Sequence, residues 1–265
     1  MIKLTNFTTL TTVGFAGLSI LLIMSVLLTN SSYAASPSST QNVLPDLRPV
    51  MDDLLNYDLV KDPNTGQILL RFGGSIGNYS DGPLEIVGKR TIVDPNNNEM
   101  PAYQRIYKTD GTFNDVLVGT LIYHPEHHHF HFQSAMQYDL LDQKNTIITS
   151  QKQSFCLADV SIVDSTLPYF SNVPVYNRCY HDPSATFVKM GISVGWDDIY
   201  DKSLVGQAMD VTDLMQKPKQ TYYLKETTNP QKSLIEKNKK PQEISIPVEI
   251  GIGVPVGVGQ SRPGV

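Results

Sequence analysis

The sequence predicts a mainly β fold: a single β-sandwich-like domain with long loops and few short helices. Three observations carry this. Short apolar runs such as Ile68-Leu-Leu-Arg-Phe72 lie between turn clusters, among them Asp62-Pro-Asn-Thr-Gly66, Ser80-Asp-Gly-Pro83 and Asp110-Gly111. That is the spacing of strands joined by turns. Near the end, Ile244, Ile246, Val248, Ile250 and Ile252 alternate with Ser245, Pro247, Glu249 and Gly251. This is the period of a half-buried strand, and Pro247, lacking a backbone donor, puts it at a sheet edge. No long segment has strong helical periodicity, and residues 47–58 are a candidate for one short helix.

Lys3 is followed by an uncharged apolar run over residues 13–28 and then by Ser32-Tyr33-Ala34. Small residues at the −3 and −1 positions of a cleavage site make residues 1–34 a secretory signal. The run is short for a membrane span of about 20 residues, and an uncleaved anchor is the alternative. Either way the remainder is expected to be exported, secreted or extracytoplasmic. Residues 35–43 read as a polar linker, residues 44–253 as the globular domain. The Gly/Pro/Val-rich stretch 254–265 is expected to be a disordered tail.

The formal net charge of −5 gives no reason to expect nucleic-acid binding. The lysines gathered between Lys217 and Lys240 read as a solvated basic face. Membrane contact is expected only through the N-terminal segment, if it stays uncleaved. The two cysteines, Cys156 and Cys179, most simply form one disulfide in an oxidising compartment. A thiolate metal ligand is the competing reading.

Five of the six histidines fall within eight residues: His124, His127, His128, His129 and His131. On a β-strand, side chains alternate between faces. His127, His129 and His131 would then share one face, with His128, Phe130 and Phe132 on the other. Three imidazoles stepped along one face can converge on one cation, and imidazole suits zinc, copper, iron or nickel. The run is mid-chain, broken by aromatics and followed by the apolar stretch Met136–Leu141, which distinguishes it from an expression tag. Farther on, Lys152 precedes Phe155-Cys156-Leu157. A lysine held near apolar surroundings has a lowered pKa and becomes a nucleophile.

On these residues the chain resembles the lysyl oxidase family of copper-dependent amine oxidases, from about Leu69 to Ile250. The motifs are the His-x-His-x-His core with Tyr138-Asp-Leu-Leu-Asp142, the block Lys152-Gln-Ser-Phe-Cys-Leu-Ala-Asp159, and Gly195 to Asp213. They occur in the family's order. The resemblance implies copper at His127, His129 and His131. It implies a lysine tyrosylquinone made by cross-linking Lys152 to Tyr200, after copper and dioxygen oxidise the phenol ring. It further implies an exported enzyme that converts primary amines, among them lysine side chains of exported proteins, to aldehydes. Dioxygen would be consumed, and ammonia and hydrogen peroxide released.

Other residues have two readings. Asp159, Asp198, Asp210 and Asp213 are candidates for the general base. Tyr169, Tyr176 and Tyr180 compete with Tyr200 for the cross-link. Trp196 either walls the quinone pocket or belongs to the core. His124 is an outer partner or a fourth ligand, while His128 is not expected to bind metal. Glu126 stands where the animal enzymes have cysteine, and the interval from Lys152 to Tyr200 is longer than theirs. The alternatives are a non-catalytic exported module holding copper or zinc, and a zinc hydrolase with three histidines and an open coordination position.

Overall fold

The computed structural model describes residues 39–93, 98–126 and 128–259. In chain order the strands are β1 (Asn42–Val43), β2 (Leu47–Pro49), β3 (Tyr57–Lys61), β4 (Ile68–Phe72), β5 (Gly74–Asn78), β6 (Leu84–Lys89), β7 (Glu99–Lys108), β8 (Phe113–His124), β9 (His129–Leu141), β10 (Ile147–Phe155), β11 (Ser161–Ile162), β12 (Phe187–Ile192), β13 (Trp196–Tyr200), β14 (Ala208–Asp210), β15 (Gln220–Thr228), β16 (Glu243–Ile250) and β17 (Gly257–Val258). Two one-turn helices, α1 (Met51–Leu54) and α2 (Thr212–Met215), complete the list among the described residues. The mainly β expectation holds, and α1 is the short helix within residues 47–58. The signal expected over residues 1–34 lies outside the described residues.

The described strands form three sheets. The largest runs β12-β6-β7-β8-β9-β15-β16, with β1 joined to β7 and β10 to β9. The others are β11-β13-β5-β2 and β14-β4-β3-β17. Pairing is antiparallel throughout except for β17 on β3. The final long strand behaves as its alternation requires. Ile246, Val248 and Ile250 of β16 are buried, whereas Ser245, Pro247 and Glu249 are exposed. Its place at the end of the sheet path tolerates Pro247.

Three expectations are corrected. The tail is ordered past residue 254: Val254 and Val256 pack on the core, and β17 pairs with Val60 and Lys61 of β3. An open strand edge offers backbone partners that composition does not reveal. Residues 260–265 lie outside the described residues. The linker ends earlier than residue 43, because β1 joins Asn42 and Val43 to Lys108 and Tyr107 of β7. Lastly, the histidine run is not one continuous strand. β8 ends at His124, Pro125 and Glu126 turn, and β9 starts at His129. His128 sits at φ 56°, the left-handed conformation of a tight reversal.

The core joins the sheets beneath this hairpin. Phe72, Ile76, Leu84, Phe130, Phe132, Tyr138 and Leu140 are essentially inaccessible to solvent. Burying each such side chain contributes roughly 1.5–3 kcal/mol. Phe130 and Phe132 therefore anchor the very strand that carries His129 and His131. Tyr138 packs against Phe72 with ring centroids 4.7 Å apart. It comes so close to β5 that a Cβ on Gly74 would fall 1.9 Å from its hydroxyl, so only glycine fits there. Between the histidines and Tyr138, β9 bulges. Gln153 opposes Met136 but Phe155 opposes Phe132, so residues 133–135 of β9 face a single residue of β10. Such a bulge bends the strand and re-aims its side chains.

Candidate metal centre and adjoining cavity

The hairpin β8–β9 brings three described histidine rings together. His124 pairs with His129 across the hairpin. The His131 ring lies 4.4 Å from that of His124 and 4.6 Å from that of His129, centroid to centroid. The Nε2 atoms of His129 and His131 are 2.8 Å apart. At that separation two ring nitrogens either share a proton or point toward one cation. His131 is only 5% exposed, and its Nδ1 lies 3.3 Å from the Ser154 hydroxyl, an outer contact of the kind that orients a ligand ring. His127 lies outside the described residues. The donors visible in this hairpin are thus all imidazole, a set that suits zinc, copper, iron or nickel alike, although no three donors surround one point among the described residues.

Beside the histidines is a cavity of about 470 Å³. Its walls include His129, His131, Gln153, Phe155, Asp198 and Tyr200. Two strand ends meet there. β13 delivers Asp198 and Tyr200 through its pairing with β5, and β10 delivers Phe155 through its pairing with β9. The Tyr200 ring stacks on Phe155 with centroids 3.5 Å apart. Its hydroxyl donates to the Asp198 carboxylate and lies 3.3 Å from the Cys156 carbonyl. Burial raises the Asp198 carboxyl well above its usual range, while the Tyr200 bond opposes this. Burial likewise raises the Tyr200 phenol, followed by the charge of Asp198. The pair therefore retains a proton at pH values where an exposed aspartate is ionised.

The cavity rim is tied down from two sides. Gln151 and Gln153 donate from β10 to the Gly206 carbonyl. Arg71 of β4 donates to the carbonyls of Lys202 and Leu204. The Cys156–Cys179 disulfide closes the loop that supplies Cys156, Ala158, Val160 and Cys179 to the cavity. The expected bridge is thus present, and neither cysteine is a thiolate ligand.

The structure separates the remaining candidates. Of the four aspartates, Asp198 alone lines the cavity. Asp159 accepts from the amides of Val175, Tyr176 and Ser193 and from the Ser193 hydroxyl, so it fastens the disulfide loop. Asp210 is bound to Thr212 and Gln67 at the surface, and Asp213 is an exposed residue of α2. Tyr176 donates to Glu85, and Tyr169 is 81% exposed. Tyr169, Tyr176 and Tyr180 are all absent from the cavity walls. Trp196 is a core residue whose Nε1 donates to the Ser171 carbonyl.

Lys152 is exposed on β10, opposite Gln137 of β9. Gln151 and Gln153 reach toward Gly206, and Phe155 touches Tyr200. Strand alternation therefore turns Lys152 to the other face. The structure brings His129, His131 and Tyr200 to one cavity, and Lys152 is not among the residues lining it.

Residues 115–249, just over half of the 265-residue chain, match the family model for lysyl oxidase. The chain belongs to the lysyl oxidase family. No match was found among curated proteins. The matched span of this lysyl oxidase family member contains β9, β10 and β13, the three strands that build the cavity. Residues that sequence reasoning passed over are Phe155 as a stacking partner, Gln153 as a rim tie and His181. The last has a locatable signal, since it stands two residues after a bridged cysteine.

Proposed function

We propose that this protein is an exported, copper-dependent amine oxidase. It would convert a primary amine, dioxygen and water to an aldehyde, ammonia and hydrogen peroxide. Lysine side chains of exported proteins are one substrate class. One observation supports the reading above others: a half-buried, hydrogen-bonded tyrosine and a pair of converging imidazoles line the same cavity in a lysyl oxidase family chain.

His127, His129 and His131 would hold the copper, and Lys152 and Tyr200 would form the quinone. Together these would supply a redox centre and an electrophilic carbonyl for a primary amine. The chain's own groups have simpler tasks. Asp198 holds the proton of the Tyr200 Oη and can accept a proton from a group bound in the cavity. Phe155 fixes the plane of the tyrosine ring through stacking. Val160, Leu204 and Val205 give the cavity an apolar side, which excludes water from an amine's methylene chain. The cross-link requires the Lys152 side chain to reach the cavity from the exposed face of β10. The bulge opposite Ser154 interrupts the β9–β10 pairing two residues from Lys152.

The exposure of Lys152 also favours a second reading: an exported copper- or zinc-binding module without a quinone. Peptide mapping of copper-loaded, oxygen-exposed protein separates the two. A Lys152–Tyr200 cross-link with visible absorbance and hydrazine reactivity supports the oxidase. Colourless protein with both residues unmodified and copper bound rejects it.

A further inference from the structure

His181 is the one histidine outside the run, yet the fold returns it to the same place. The Phe130 amide donates to the Tyr180 carbonyl at 3.3 Å, and the Tyr123 hydroxyl to the His181 carbonyl at 3.2 Å. Two residues upstream, Cys179 is fixed to Cys156. The segment is therefore held along the histidine hairpin on both sides. The His181 Nδ1 lies 2.7 Å from the His128 carbonyl oxygen. A carbonyl oxygen only accepts, so Nδ1 carries the proton and Nε2 keeps its lone pair. This is the tautomer of a metal-binding histidine oriented by a backbone carbonyl.

The spacing suits a shared ion. An imidazole nitrogen binds a metal at about 2 Å, which puts two rings on one ion with centroids no more than about 6 Å apart. The His181 ring is 5.6 Å from the His129 ring, and the latter is 4.6 Å from that of His131. Among the described residues no three donors already surround one point. His181 is exposed beside the His129–His131 pair, so its Nε2 is open to an ion held there.

We propose that His181 is a further ligand of the copper ion held by the histidine hairpin, brought from the disulfide-closed loop. This rests on the copper reading above. The loop then does two jobs, lining the cavity and carrying a donor. The competing role is purely structural, the Nδ1 bond pinning the turn at His128.

His181→Asn separates these roles, because its amide can still donate to the His128 carbonyl but offers no ring nitrogen. The full-length protein and the variant are loaded with Cu(II). Chelator competition gives affinity, and pulsed electron paramagnetic resonance counts coupled imidazoles. The proposal requires one fewer imidazole in His181→Asn and a fall in affinity of at least about tenfold, with His181→Gln showing the same loss. Equal imidazole counts and affinities in wild type and both variants overturn it while leaving the copper reading intact. Wild-type protein that takes up no copper overturns both.

Discussion

The Tyr200 hydroxyl donates to the carboxylate of Asp198, a residue 3% exposed and two positions earlier on the same strand. Residues i and i+2 share a strand face, so β13 presents acid and phenol together to the cavity. A hydrogen bond from a phenol to a buried carboxylate couples the protonation of the two groups. Neither partner works as an isolated group.

Asp198→Asn keeps the volume and removes the proton acceptor. Amine oxidation should fall by about 100-fold or more, the usual contribution of a positioned base, with copper content unchanged. If Asp198 is the base, its raised carboxyl pKa should make wild-type activity climb with pH through a range above that of an ordinary aspartate. The variant should lose that rising limb. A pH profile of kcat/KM that is identical in both proteins would exclude Asp198 as the base.

Lys152→Ala should abolish the visible chromophore and amine oxidation while copper binding persists. Metal analysis and absorbance after aerobic copper loading measure both. Because the side chain is exposed on β10, the apo protein's melting temperature should change little. An active, coloured variant would mean that another amine supplies the cross-link.

Replacing Cys156 and Cys179 together by serine should lower stability by about 3 kcal/mol, the loop-closure value for a bridge of this span. Chemical denaturation measures it. The loop also bears on Tyr200, through the Cys156 carbonyl, and on His181. Copper affinity should therefore fall along with stability, and unchanged affinity would show that the hairpin alone sets the centre.

Asp197, next to Asp198 on β13, gives a pH signature of its own. Burial first, then the charge of Asp53, raises its carboxyl to about 7. The folded value exceeds the unfolded one, so the folded state holds more protons between them. The stability this gives is present in full below the unfolded pKa and is lost as pH rises through about 7. Asp115, lowered to about 2 by Arg105, is ionised throughout this window and adds nothing to the slope. Urea midpoints should thus drop more between pH 5 and pH 8 in wild type than in Asp197→Asn. Parallel curves would refute the assignment.

Much of this was legible in the chain. The alternation of Ile246, Val248 and Ile250 specified a half-buried strand, and Pro247 its edge position, because side-chain period and a missing donor are local properties. The histidine density and the Phe155-Cys156 block singled out residues that line one cavity, His129, His131, Phe155 and Cys156. Tertiary structure alone decided which groups share the cavity. Asp198 was one of four equivalent aspartates in sequence; β13 pairing and burial set it apart. His181 is 50 residues from His131 in the chain, and the disulfide with the Tyr180, Tyr123 and His128 contacts returns it to the hairpin. The turn at His128 and the bulge in β9 also depend on partner strands, since register is a property of a pair of strands and not of either one.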